Sequence, residues 1–558
     1  MNRIKLEPRI KRLREYFQNY KLLRTLLPVI PGILALIWFL VRVIPKPQRA
    51  NYPCMKVAYP LMSGLVIWLI GITGISTSLK LFFKNIRRKK YLFASGSVLL
   101  LLVFSIYYLI RQSDPLFAAK GQKVPMHIPN APMGVPQGII PGRVVWSWDP
   151  DATNENCTND ISKNDGYFLA KNNNQDVIDK MLAGTILAIS DKKDPKEAWD
   201  EIFRHFNKQK GKGDTGYRNN ETIFIKINQG CANWSTNDDF TRRKGSLGYS
   251  ETSPQIILAV LKQLVNIAGV PQNKIIVADP MAHIYSDNFE LLHSVFPNVI
   301  YGDRTKEAEA LGRTFLAPET TPVIFYSDKG TVLKGGPDCL YTAMQYSDYM
   351  INIAALKAHA CAGITLMAKN HFGSITRKTA ASLHPGLVGD QNDHPYRLDY
   401  GMYRVQVDLM GSKYLGRNTV LNIVDGLWGG PEATVAPVKW QMAPFNNDWP
   451  NSIFVSLDQV ALESVCFDFL RSEAMVGLPD WRNRPNFAQG VDDYLHQAAS
   501  SKNWPKGIIY DPDNSGIPIP SLGVHEHWNN PVDKKYSRDL GKADGIELVK
   551  ILAKKQNM

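Results

Sequence analysis

Residues 25–41, 57–79 and 91–110 contain no charged side chain, in runs of 17, 23 and 20 residues. A helix needs about 20 apolar residues to cross the hydrocarbon core of a bilayer, so the second and third runs qualify and the first lies at the lower limit. Pro28 and Pro31 stand near the start of the first run, where a membrane helix tolerates them. A cleaved signal peptide would give the first run a similar look, but no small-residue cleavage site follows it and two further runs come after. Three N-terminal transmembrane helices are therefore expected.

Charge divides the 558-residue chain at the same place. Residues 1–111 hold 19 Lys and Arg against 2 Asp and Glu, a net +17, whereas the whole chain is +14, which leaves the remainder near −3. The high pI belongs to the anchor. The large C-terminal part lacks the excess positive charge that a nucleic-acid-binding face needs, so nucleic acid is not an expected partner. Arg3, Lys5, Arg9, Lys11, Arg12, Arg14, Lys21 and Arg24 precede the first run, and KNIRRKK (84–90) joins the second to the third. The positive-inside rule places both segments in the cytoplasm. Three crossings then leave everything after Arg111 outside it, on the periplasmic face if the cell is bacterial. Six cysteines include no CxxC pair, which excludes the simple iron–sulfur, zinc-ribbon and thioredoxin readings. Disulfide pairing stays open.

Pro115, Pro125, Pro129, Pro132, Pro136 and Pro141 mark residues 112–142 as an extended linker. Beyond it, short Ile- and Val-rich runs alternate with amphipathic ones. VVWSW (144–148), TIFIKIN (222–228), KIIVADP (274–280), YMINIAAL (349–356), TVLNIVDG (419–426) and SIFVSLD (452–458) read as strands, with helix-like segments such as 175–189, 253–269 and 459–473 between or after them. That alternation predicts an α/β domain over 143–558, with a mainly parallel, Rossmann-like sheet, helices on both faces, and an extension from about 475.

The strands turn polar at their carboxyl ends, where open α/β sheets hold their ligands. Lys226 and Asn228 end one strand, Asp279 another, Lys357 and His359 a third, and Asp425 and Asp458 two more. Asp279 before Pro280 and Asp458 before a helix also fit ordinary turn and N-cap chemistry. Lys357 and His359, at i and i+2, share one face of a strand, and Thr365, Lys369 and Asn370 follow within a short helical stretch. Ammonium and amide groups around one crevice suit a carboxylate or phosphate, and a buried lysine can be depressed enough to act as a base. Snorkelling lysines and a hydrogen-bonded core histidine would leave the same pattern. His371 has no role in either reading.

AALKAHACAGITLMAKNHFG (354–373) resembles the central motif of the DUF362 family, with Lys357, His359, Gly363, Thr365, Lys369, Asn370 and Gly373 at the matching positions. FIKINQG (224–230), IVDGLWGGPEA (423–433) and SLDQVALESV (456–465) resemble three further pieces of it in the same order, so the resemblance covers roughly residues 220–470. It implies a fold more than a reaction, because the family has no agreed activity. Many members add a cysteine-rich ferredoxin-like module that this chain lacks, so no iron–sulfur cluster is expected. A more distant likeness to nickel-pincer lactate racemases is one of fold alone.

SLGVHEHWNNP (521–531) places His525 and His527 in the His-x-His spacing of many zinc sites, though no third ligand can be read from the sequence. A divalent metal is the one cofactor these residues suggest. DPDNSG (511–516) imitates the start of an EF-hand loop, but position twelve is Leu522 where a bidentate Glu is needed, so a turn is expected. Asp149 and Asp151 suit a turn or a cation, and His384, His394, Arg397 and Arg404 lie in a loop that suits a lid or a solvated surface. No Walker A, GxSxG or GxGxxG pattern occurs.

Two functions follow from these residues. In the first, the membrane-anchored domain binds and transforms a small anionic ligand. Lys226, Lys357 and Lys369 hold its charge, His359 transfers a proton or binds ligand, Asn228, Thr365 and Asn370 orient it, and Asp425 supplies a carboxylate. In the second, the domain is a non-catalytic envelope protein that binds a glycan, a peptide or a partner protein, and the polar strand ends are structural.

Overall fold

The computed structural model describes residues 131–243, 248–389, 397–476, 487–542 and 544–553, with a few positions between 80 and 87. The three expected membrane spans lie outside the described residues, as does His394. Among the described residues no helix is long and apolar enough to cross a membrane. Residues 1–126 and 127–558 form two separate units, and the second is described here.

Ten strands of this unit form one sheet. In chain order they are β2 (Arg143–Trp148), β3 (Ile223–Lys226), β4 (Ile275–Ala278), β5 (Ile300–Asp303), β6 (Thr314–Phe315), β7 (Tyr349–His359), β8 (Gly363–Thr365), β9 (Thr419–Gly430), β10 (Ser452–Ser456) and β12 (Glu547–Leu552). Across the sheet the order is β12-β2-β10-β9-β7-β3-β4-β5-β6, with β8 folded back on β7. Six of the pairings are parallel, and the antiparallel ones are β2–β10, β10–β9 and β7–β8. The sheet is thus mostly parallel, as the alternating pattern predicts. Six of the strands match apolar runs in the sequence, whereas β5, β6, β8 and β12 are too short or too polar to stand out there. Residues 131–142, expected as the end of a linker, join the domain instead: β1 (Met133–Gly134) pairs with β11 (Val524–His525).

Strand alternation sorts side chains onto two faces. Ile223 and Ile225 of β3, Val277 of β4 and Ile351 and Ile353 of β7 face one core, covered by α1 (Gln175–Ser190), α2 (Pro195–Gln209), α3 (Pro254–Lys262) and α4 (Ser286–Val295). In α2 the spacing Trp199, Ile202, Phe203, Phe206 aligns the buried side chains on one stripe. The helix starts on Asp194, whose carboxylate accepts from the amides of Lys196 and Glu197, both at 2.9 Å, and Pro195 occupies the first turn.

Phe224, Ala278, Met350, Ala354 and Phe454 face the second core. It is completed from α5 (Thr342–Gln345), α6 (Met367–Asn370), α7 (Val405–Gly411), α8 (Gln459–Val476) and α9 (Phe487–Ala499). α8 begins on Asp458, which is fully buried. Its carboxylate accepts from Val460 and Ala461 at the head of the helix, and from the amides of Gln137 at 2.9 Å and Val524 at 3.1 Å. One side chain therefore caps a helix and anchors both the incoming segment and the tail.

Two strands outgrow their neighbours. β7 runs from its pairing of Asn352 with Lys226 on to His359 before turning back as β8, and β9 extends beside it to Gly430. Between Ala355 and Lys357 the β7–β9 register slips from Asp425 to Gly430. Such a bulge re-aims the side chain that follows it, here Lys357. The overhang runs past the shorter ends of β3 and β4.

Candidate functional site

Lys226, the last residue of β3, is fully buried and lies 3.0 Å from Asp279, which follows β4 and is 2 % exposed. Its ammonium also donates to the Ile227 carbonyl at 2.6 Å and to Asn370 Oδ1 at 3.0 Å. Asp279 in turn accepts from the Gln229 amide. Burial lowers the Lys226 pKa and Asp279 opposes that shift. Two hydrogen bonds and one ion pair engage the ammonium, so this lysine holds the site together.

Asn370 sits at the centre of that network. Its Oδ1 accepts from Lys226 and from Asn228 Nδ2 at 3.2 Å, while its Nδ2 donates to Asn352 Oδ1 at 2.7 Å and to the Ile353 carbonyl. Asn352 donates to His371 Nε2 at 3.1 Å, and His371 Nδ1 faces Ser374 Oγ at 3.3 Å. Burial pushes His371 down to about 3, so it stands as a neutral imidazole of the core. Gly373 passes close over the ion pair, and a Cβ there would overlap Asp279 Oδ1. The Lys-Asn-x-x-Gly spacing of the sequence thus places an amide and a bare backbone against one buried pair.

Asp425 has both oxygens committed, Oδ2 to the Ser253 amide at 2.7 Å and Oδ1 to the Leu427 amide at 3.1 Å. Burial raises it to about 6. It fixes the loop before α3, which carries Ser250 and Glu251 into the crevice, and so shapes the wall. Gly430, paired with Lys357 across β7–β9, leaves room for Ser250, whose Oγ a Cβ would strike. Ser250 offers its carbonyl to the Lys357 ammonium. Lys357 is 2 % exposed, and burial lowers its pKa against the opposing pull of Cys231, Glu251 and Glu432.

His359, expected to transfer a proton or bind ligand, has one ring nitrogen occupied by backbone. Its Nδ1 accepts from the amides of Cys361 at 3.0 Å and Ala362 at 3.3 Å, closing the β7–β8 turn. Burial, with Lys369, His384 and Lys357 close by, holds it well below the usual range for histidine. A neutral ring whose Nδ1 is occupied offers a donor at Nε2 and no free base. The His384 ring stands 6.0 Å away, edge-on. Arg404, expected in a lid or a solvated loop, is fully buried on Asp493 at 2.7 Å and on the carbonyls of Leu387, Arg397 and Asp399.

Lys369 is the cation with capacity left. Its ammonium lies 4.1 Å over the Phe372 ring and makes no hydrogen bond or ion pair among the described residues. Burial, reinforced by Lys357 and Lys226, lowers it to about 8. Thr365, directly opposite Lys357 in the β7–β8 pair, has a buried hydroxyl without a partner, and so do Asn228 Oδ1 and Glu251 Oε2. Such atoms cost about 1–3 kcal/mol each unless something satisfies them. Glu251 and Cys231 are additions to the sequence reading. Glu251 accepts from the Cys231 amide at 2.7 Å, and burial raises its pKa in spite of Lys357 and Arg242. Cys231 comes just after β3 and Glu251 just before α3, and that placement is the signal by which they could have been found.

His525 and His527 meet elsewhere, beside α8 and α9, in a cluster with Asp492. Asp149 and Asp511 bind backbone amides of their own turns, Asp151 at 3.0 Å and Ser515 and Gly516 at 3.0 and 2.7 Å. A cavity of about 760 Å³ between Phe325–Lys334 and Gly507–Pro518 contains none of the crevice side chains.

With this geometry in hand, the sequence profile of DUF362, a domain of unknown function, matches residues 238–468. That segment is a DUF362 domain. It includes Lys357, His359, Thr365, Lys369, Asn370 and Asp425, while Lys226 and Asn228 precede it and His525 and His527 follow it. No curated protein matches the chain. Within the DUF362 domain α6 is set by Glu463 of α8, which accepts from the Ala368 amide at 2.6 Å and thereby fixes Lys369 and Asn370 over β3. The depressed Lys369 pKa has a direct check. Acylation of full-length protein across a pH series, read by mass spectrometry, should give half-maximal labelling of Lys369 near pH 8, whereas ordinary lysines respond near 10.4. A profile matching the surface lysines would contradict the burial assigned to it.

Proposed function

We propose that the DUF362 domain binds a small ligand bearing a carboxylate or phosphate at the carboxyl ends of β3, β4 and β7, and transforms it by proton transfer. Lys369 is the observation that carries this reading: an ammonium with no ion pair among the described residues, on the helix that follows Thr365, whose hydroxyl is likewise unpartnered among them. Lys357 adds a second positive charge. Lys226, Asn370, Asn228 and Asp425 then serve as the frame, in place of the direct substrate contacts expected of the first three and the carboxylate role of the last. His359 offers a hydrogen bond through Nε2. Lys369, with a pKa of about 8, is the group able to accept or return a proton near neutrality, and Glu251, raised by burial, is its acidic counterpart.

The anchor belongs to the same proposal. Three crossings by residues 25–41, 57–79 and 91–110, with a cytoplasmic N-terminus, put the Rossmann-like domain outside the cytoplasm. A reporter active only in the cytoplasm, fused after Met558, should be silent while one fused before Arg3 is active. Activity at the C-terminal fusion would refute the topology.

A thermal-shift screen of full-length protein against carboxylated and phosphorylated metabolites should yield a stabilising ligand. Lys357→Ala and Lys369→Ala, each folded, should weaken its binding by about 10–100-fold, the worth of one charge-assisted hydrogen bond. For Lys369 the sign with pH is fixed: affinity falls as pH rises through about 8, because the ammonium loses its proton. Two folded variants that bind as tightly as the unchanged protein would end the proposal.

A further inference from the structure

Asp492 and His496 lie one turn apart on α9, and His525 and His527 lie two residues apart on the tail. The fold brings these two pairs together. Asp492, His525 and His527 each offer one ligand atom, and the three atoms lie within 4.8 Å of one another. All three residues are buried, at 4 %, 1 % and 8 % exposure.

The orientation of the imidazoles is the stronger observation. Ser464 and Asp468 sit one turn apart on α8 and each faces the Nδ1 of one histidine: Ser464 Oγ is 2.8 Å from His525 Nδ1, and Asp468 Oδ1 is 2.7 Å from His527 Nδ1. That arrangement leaves Nε2 of both rings as the ligand atoms. His527 Nε2 points at Asp492 Oδ1, 2.9 Å away. Metal-bound histidines characteristically donate their other ring N–H to a carboxylate or hydroxyl, which fixes tautomer and orientation. Asp468 is itself held by the Trp528 amide at 2.8 Å, Tyr536 at 3.0 Å and Arg471 at 2.8 Å.

We propose that Asp492, His525 and His527 bind zinc, or a similar divalent transition metal, with Asp468 and Ser464 orienting the two imidazoles. The ion takes the place of the proton shared between His527 Nε2 and Asp492. Metal–ligand bonds of about 2.0–2.2 Å set tetrahedral ligand atoms about 3.4 Å apart, so His527 Nε2 and Asp492 Oδ1, now 2.9 Å apart, part slightly to admit the ion while His525 draws in. His496 of α9 lies beside these three ligands, its ring centre 5.1 Å from that of His525, and its ring stacks on that of Tyr400. A site with these three protein ligands leaves a fourth position to water. It would tie α8, α9 and the tail together, and α8 carries the Glu463 that holds α6 beneath Lys369. The metal site is independent of what the crevice binds.

Elemental analysis of full-length protein, purified in detergent without chelator, tests the proposal. About one zinc per chain is expected, falling to trace in His525→Ala and Asp492→Asn. Should those variants fail to fold, the unchanged protein still decides the matter. After the metal is stripped, added cobalt should give the visible d–d absorption of a four-coordinate centre, and added zinc should abolish it. Purified protein without stoichiometric metal, whose stripped form gives no cobalt band, would overturn the proposal and leave His527 as a buried ion held between two aspartates.

Discussion

A buried ion pair between Lys226 and Asp279 decides how the crevice is built. An ammonium at 0 % exposure is tolerable only if its charge is matched and its protons are used, since an unpaired buried charge costs several kcal/mol. Asp279 supplies the charge, and Asn370 and the Ile227 carbonyl each accept a proton. Because Asn370 belongs to α6, satisfying Lys226 docks that short helix on the ends of β3 and β4. Met367–Asn370 is too short to be stable by itself. Its position comes from Lys226 at one end and Glu463 at the other.

Once α6 is fixed, the remaining basic residues divide by environment. Lys357 reaches the Ser250 carbonyl among Glu251, Glu432 and Cys231, so its charge is largely compensated. Among the described residues, Lys369 has only the face of Phe372. Three lysines and three carboxylates (Asp279, Glu251 and Glu432) therefore make a polar crevice of mixed charge. Among the described residues, Lys369 and the unpartnered atoms of Thr365, Glu251 and Asn228 are the groups there with bonding capacity left.

Much of this was legible in the sequence. Ile- and Val-rich runs located the inner strands, and the change to polar residues at their ends marked side chains that gather on one edge, because in a parallel sheet those ends share it. The roles were harder to read. Lys226 and Lys369 look alike in one dimension, and only the partner, Asp279, separates a frame residue from one with spare capacity. His359 looked like a proton carrier because the bonds that occupy its Nδ1 come from backbone amides, which no side-chain pattern reveals. Asp425 is a similar case, bound to two amides. In the tail the His-x-His spacing was visible, but Asp492 lies 33 positions before His525 in the sequence, and its partnership with the histidines depends on how α9 packs on α8.

Chemical denaturation of full-length protein, followed by tryptophan fluorescence for Lys226→Met, Asp279→Leu and the double variant, tests the central claim most directly. Each single variant should lose about 3–5 kcal/mol, because it leaves one charge buried without its partner. The double variant should lose clearly less than the two combined, since no charge is stranded. Single losses under about 1 kcal/mol, or losses that simply add, would contradict a crevice organised around this pair.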